Sequence, residues 1–196
     1  MTVGLTGGIA AGKSIVRQTL ANAAGLAVFD ADACVHRLLE NEASVATAIR
    51  RELGESFLRP NGKPDRKALR ELVFRDVAAR RKLEAILHPL VRAEWSARLE
   101  ECRAKSIHFL ADIPLLYETG AEDFFDSVVV VACSQEAQLD RLLARGIKAG
   151  TAQAMLASQL PLGQKTERAD LVIWNDGSLA ALGRQTKLLS KQLFPV

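Results

Sequence analysis

Residues 7–14 read Gly7-Gly8-Ile9-Ala10-Ala11-Gly12-Lys13-Ser14, a GxxxxGKS stretch directly after the short apolar run Val3-Gly4-Leu5. Glycines at these places let the backbone curl until successive N–H groups point inward at phosphate oxygens. A helix opening near Lys13 adds its positive N-terminal end. In such a loop the backbone of Gly8, Ile9, Ala10, Ala11, Gly12, Lys13, Ser14 and Ile15 surrounds the phosphates of ATP. Lys13 reaches the β- and γ-phosphates, and the Ser14 hydroxyl ligates Mg²⁺. A random chain of this length and average usage carries the pattern about once in a hundred, and its placement between strand and helix lowers the odds further.

Outward from the loop, short apolar runs alternate with helical patterns. The runs are Val3-Gly4-Leu5, Leu26-Ala27-Val28-Phe29, Ile107 to Ala111, Val128 to Cys133 and Leu171 to Trp174. They read as strands covered on both faces, as in a parallel sheet. The pieces between them carry apolar residues at helical spacing, such as Leu139, Leu142 and Leu143 after Ser134, a candidate N-cap. This alternation predicts an α/β fold, a parallel-sheet P-loop NTPase core spanning residues 1–196 as a single domain. Residues 33–105 break the rhythm. They hold no convincing strand and one turn-forming cluster, Arg59-Pro60-Asn61-Gly62-Lys63-Pro64, and read as a helical insert.

The bulk numbers narrow the class. The 196 residues are 48% hydrophobic and 25% charged, with a net charge of +3. That balance suits a soluble domain with a polyanionic ligand, and without a long basic run or an aromatic-rich basic stripe no nucleic-acid partner is expected. Cys34, Cys102 and Cys133 lack metal-ligand spacing and read as reduced thiols of a cytoplasmic protein. Neither a signal peptide nor a membrane span is expected. No heptad stripe marks an oligomer, so a monomer is compatible with the chain. A P-loop serves GTP switches, ATPase motors and small-molecule kinases alike. The absence of NKxD, DxxG and LSGGQ-type signatures favours a small-molecule kinase over a nucleotide-dependent switch or assembly factor.

Several side chains could complete the chemistry. Asp30 and Asp32 close the second strand, whose carboxyl end should face the ligand crevice. Alternation places both on one side if the strand continues. Either could accept or orient a hydroxyl proton, or simply cap the next helix. Asp112 ends the third run, where an acid helps to hold the magnesium shell or caps a turn. His88 and Arg92 share a helical face, with Pro89 suited to a first helical turn. Arg141 and Arg145, also four apart, could place charge over a transferring phosphoryl group or form a solvated face. Gly146 and Gly150 bracket Ile147-Lys148-Ala149, a candidate lid. Trp174-Asn175-Asp176-Gly177 is a turn.

Taken in order, these residues resemble the dephospho-CoA kinase family nearly end to end. The matching pieces are Gly4-Leu5-Thr6-Gly7-Gly8-Ile9, Gly12-Lys13-Ser14, Asp30-Ala31-Asp32, Leu87-His88-Pro89 with Arg92, and Pro114-Leu115-Leu116 with Glu118. Ser158-Gln159, Lys165, Ala169-Asp170, Ile173 and Asn175-Asp176-Gly177 complete them. The resemblance implies transfer of the ATP γ-phosphoryl group to the ribose 3′-hydroxyl of dephospho-CoA, the last step of coenzyme A synthesis. It implies a nucleotide-kinase-like core, with residues 33–105 as the CoA-binding region and 141–165 as a lid. By position, Asp32 is similar to the residue facing the acceptor hydroxyl, His88 and Arg92 to parts of the acceptor pocket, and Arg141 to a lid-side arginine near the phosphates. Lys13, Asp32 and Arg141 are then the catalytic set, with ATP and Mg²⁺ as cofactors. The chain departs from the family at Ala10 and Ala11, where a glycine and a small residue are usual, and at Ile15, where a second hydroxyl is usual. Met155 replaces an arginine before Ser-Gln, leaving Arg141, Arg145 or Lys148 to supply lid charge. Another nucleoside or nucleotide kinase, with a different acceptor, is the nearest rival.

Overall fold

The computed structural model describes residues 1–22 and 26–194. Five strands, β1 (Thr2–Gly7), β2 (Leu26–Asp30), β3 (His108–Asp112), β4 (Ser127–Ala132) and β5 (Leu171–Trp174), form one sheet in the order β2-β3-β1-β4-β5. Every pairing is parallel. The five apolar runs thus become the five strands with end shifts of at most two residues, and the expected α/β architecture is observed.

Parallel strands bury both faces, which is why β1 and β4 are buried throughout. On one face Val3 and Leu5 of β1, Val129 and Val131 of β4 and Ile173 of β5 pack with Val16 and Leu20 of helix α1 (Lys13–Ala21). Leu182, Leu189 and Leu193 of helix α9 (Leu179–Leu193) close the same cluster. Each such side chain removed from water contributes about 1.5–3 kcal/mol. On the other face Gly4 leaves no room for a methyl group, since a Cβ there would lie 2.6 Å from Leu116 and 2.9 Å from Phe125.

The chain divides into two compact units, one of residues 1–30 and 97–196, the other Ala31–Ser96. The first carries the sheet, α1, helices α6 (Gln135–Ala144), α7 (Ala149–Ala157) and α8 (Leu162–Glu167), and α9. The second is helical: α2 (Ala31–Asn41), α3 (Ala43–Leu53), α4 (Arg66–Arg75) and the start of α5 (Val77–Ala104), which runs on past its last residue. Its one turn-forming cluster folds as the composition predicts. Gly62 takes φ +78°, and an isolated bridge joins Leu58 to Pro64.

Two local expectations are corrected. The strand does not continue to Asp32: helix α2 begins at Ala31, so alternation does not relate Asp30 to Asp32. Pro89 does not open a helix but lies inside α5. The helical pattern on both sides of it is long enough to carry the helix through the missing N–H, at the cost of one backbone hydrogen bond.

Candidate active site

The phosphate loop occupies the turn from β1 into α1, as its glycines require. Gly12 has φ +100°, a conformation that side-chain-bearing residues rarely adopt, and begins α1 by offering its carbonyl to the N–H groups of Ile15 (3.0 Å) and Val16 (3.4 Å). Ala10 also lies in the left-handed region, at φ +58°. The methyl group that replaces the family's usual glycine thus sits in a strained backbone conformation. Ser14 and Ile15 are exposed on the first turn of α1, and Lys13 is half-buried.

Lys13 does not extend freely. Its ammonium donates to Asp112 Oδ1, and Asp112 is 2% exposed at the carboxyl end of β3. Arg17, one helical turn on from Lys13, pairs with Asp30 Oδ2 and lies 3.5 Å from Asp112 Oδ2. Two cations and two carboxylates are therefore interleaved at the ends of β2 and β3. The structure brings Lys13 and Asp112 together at the carboxyl end of the sheet. Arg17 was not foreseen, because an arginine on an exposed helical turn leaves no mark in the spacing.

Gln138 was also not foreseen, nor was Asn175 as a contact of the loop, whereas Arg141 was expected near the phosphates. All three reach the loop from elements far along the chain. Gln138 Nε2 donates to Ile9 O (2.7 Å), Arg141 Nη1 to Ala10 O (3.2 Å) and Asn175 Nδ2 to Ala11 O (2.8 Å). Arg141 Nη2 also donates to Asn175 O (2.7 Å), so two of its nitrogens are committed to backbone carbonyls. Helix α6 is aimed by its cap: Ser134 Oγ accepts from Ala137 N (3.2 Å), and Asp176 Oδ1 accepts from Ser134 N (2.8 Å). That backbone donor, first of all, holds the Asp176 carboxyl below its ordinary pKa. Arg145 and Lys148 are exposed at the start of the segment carrying α7, and Met155 is buried in α7.

A cavity of about 660 Å³ adjoins the loop, lined by Gly8 and Ile9 and by Gln138, Gln159, Leu160 and Leu162. Behind it, α8 is fastened to the segment after β3. Lys165, fully buried, donates to Pro114 O (3.1 Å) and pairs with Glu118 (2.8 Å), which also accepts from Leu160 N (2.8 Å). Burial pushes the Lys165 ammonium below its ordinary pKa, against the pull of Glu118.

The remaining predicted residues belong to the second unit. Asp32 is exposed on the first turn of α2. His88 and Arg92 are half-buried one turn apart on α5, with the Arg92 guanidinium 5.9 Å from the Trp95 ring. In the same unit Arg66 meets His36, Arg37 pairs with Glu94, and Arg59 and Lys63 share Glu40.

Residues 1–181 match the family model described as dephospho-CoA kinase. The chain belongs to the dephospho-CoA kinase family. It is similar to the dephospho-CoA kinase of Anaeromyxobacter dehalogenans, 46% identical over 195 residues that cover 96% of this chain and 90% of that one. A solved Thermus thermophilus protein superposes with a TM-score of 0.76 at 34% identity, over 98% of this chain and 97% of that one. The dephospho-CoA kinase of Campylobacter jejuni does so with a TM-score of 0.66 at 27% identity, over 98% and 96%. As a member of the dephospho-CoA kinase family the chain is an ATP-dependent phosphotransferase with a hydroxyl acceptor on a small molecule. Among the described residues no helix is long and apolar enough to cross a membrane.

Proposed function

We propose that this kinase transfers the γ-phosphoryl group of ATP to the ribose 3′-hydroxyl of dephospho-CoA, with Lys13 acting on the donor and Asp32 on the acceptor. The observation that carries the reading is the pairing of the loop lysine with a buried strand-end carboxylate, Lys13 with Asp112, in a chain that matches the family almost throughout. In the reaction the acceptor oxygen bonds to the γ-phosphorus as the bond from that phosphorus to the β,γ-bridging oxygen breaks. The hydroxyl proton passes to the Asp32 carboxylate, and ADP leaves.

Lys13 exchanges its bond to Asp112 for the β- and γ-phosphates and spreads their charge. Mg²⁺ belongs to the proposal as well. Ser14 Oγ and the Asp112 carboxylate are hard oxygen donors of the kind it takes. Among the described residues no cluster of three or more His, Cys, Asp or Glu forms a protein cage for it, which suits an ion shared with substrate phosphates. When bound, it neutralises charge developing between the β- and γ-phosphates.

His88 and Arg92, with the basic groups of α2 and α4, serve the anionic acceptor, Arg92 by planar pairing with phosphate. Residues 33–105 supply that acceptor region. Within the lid proposed for residues 141–165, the ties of Leu160 and Lys165 to Glu118 hold the C-terminal end. Arg145 and Lys148 are then the exposed cations able to close over the phosphates, and Arg141 adds its charge from beside the loop. Closure excludes water and suppresses idle ATP hydrolysis. A cytoplasmic location completes the proposal, supported by three buried free cysteines.

The test is ADP release with dephospho-CoA added or omitted, run beside AMP, dCMP and other hydroxyl acceptors. Wild type should turn over only with acceptor. Lys13→Ala should lose about 10²–10³ in kcat, and Asp32→Asn about 10²–10⁴. ATP binding without turnover on dephospho-CoA would reject the acceptor, and normal turnover by Asp32→Asn would reject its role.

A further inference from the structure

The three bonds to Ile9 O, Ala10 O and Ala11 O come from different elements, α6 and the turn after β5, yet they land on three consecutive carbonyls of the phosphate loop. A trans peptide points its C=O opposite to the following N–H. Fixing the carbonyls of Ile9 and Ala11 therefore turns the N–H groups of Ala10 and Gly12 to the other side of the loop. The N–H between them, of Ala11, is taken up by Gly8 O (3.1 Å), which closes the curl. Two of the three donors are buried, Gln138 at 5% and Asn175 at 4% exposure, and Arg141 ties the system together through Asn175 O.

The glycines of the loop answer to the same side chains. A Cβ at Gly8 would lie 2.4 Å from Gln138 Nε2, and one at Gly12 2.4 Å from Asn175 Nδ2. A side chain at either glycine would have to push aside the amide nitrogen that holds the loop.

We propose that Gln138, Arg141 and Asn175 are positioning residues for the nucleotide, a clamp that presets the loop's phosphate-facing N–H groups before ATP arrives. The proposal rests on the reading of residues 7–14 as the phosphate site and not on the identity of the acceptor. It assigns the amide of Asn175 to the loop rather than to a nucleotide base, and it gives Gln138 a part in ATP binding although it need touch no ligand atom.

Gln138→Met and Asn175→Leu keep the approximate shape and remove the donor. Binding of ADP, ATP and inorganic tripolyphosphate, measured on the folded proteins by calorimetry, should each weaken about tenfold, the consequence of leaving a buried carbonyl without its partner. Dephospho-CoA binding, measured the same way, should stay within twofold. Tripolyphosphate carries no base, so its loss of affinity separates a preset loop from a base contact. The inference is overturned if Gln138→Met binds ADP and tripolyphosphate within threefold of wild type, whatever its melting temperature, or if dephospho-CoA affinity falls equally. Should Asn175→Leu fail to fold, Gln138→Met decides alone. A wild type that binds ATP tightly but does not phosphorylate dephospho-CoA would sink the proposed acceptor and leave the clamp standing.

Discussion

Ala10 carries a methyl group at φ +58°, where such a residue sits about 1–2 kcal/mol above its preferred conformations. The neighbouring carbonyls of Ile9 and Ala11 are held from outside, so the loop cannot relax by rotating either peptide. Ala10→Gly should therefore stabilise the fold by roughly 0.5–1 kcal/mol, the gain from relieved strain exceeding the extra freedom of glycine in the unfolded chain. Urea denaturation measures it, and a loss of stability would mean that Ala10 is not strained. At this scale Lys13 and Ser14 were legible because a phosphate site demands them at fixed spacing. Gln138 and Asn175 were not. A side chain that bonds to a carbonyl more than a hundred residues away obeys no periodicity, and glutamine and asparagine are ordinary residues for a helix face and a turn. Arg17 was missed for the same reason, since its partners Asp30 and Asp112 meet it only once the strands are aligned.

Among the elements, α8 is short and depends on tertiary bonds, because six residues are too few to hold a helix by propensity. Lys165 supplies those bonds, and its burial leaves Glu118 and Pro114 O dependent on it. Lys165→Met should destabilise the protein by about 2 kcal/mol, less than a fully buried pair would lose because Glu118 retains 21% exposure. Glu118→Gln, which keeps an acceptor oxygen for both Lys165 and Leu160 N, should cost less, and equal losses by denaturant titration would contradict the pairing. The strands were readable as elements because each is a short apolar run between helical patterns. Pro89 was misplaced because proline favours a first helical turn in isolation, whereas here the apolar spacing of Leu83, Leu87, Val91 and Trp95 runs past it without a break.

For the molecule as a whole, the first unit sets its chemistry along one end of the sheet. The loop follows β1, Asp30 and Asp112 end β2 and β3, Ser134 follows β4 and Asn175 follows β5. That gathering at the strands' carboxyl ends was legible from the α/β pattern. The strand order was not, since apolar runs of similar length and composition do not announce their neighbours. All three cysteines are buried, and burial pushes the Cys34 thiol up to about 11 and the Cys133 thiol above its ordinary value. Only the thiolate reacts readily. The native protein should thus resist a thiol-specific reagent at pH 7.5 and release all three cysteines together with unfolding; fast labelling of the native protein would contradict the packing. The order of the strands has a further consequence on the ribosome. β1 is made first but lies between β3 and β4, so Thr2 waits for Phe109 and Val3 for Ser127 before either edge of the strand is covered. Asn175 emerges later still. A nascent chain displays the residues of a nucleotide site long before it possesses the site, and ATP can act as a folding template only once β5 and the turn after it have been made.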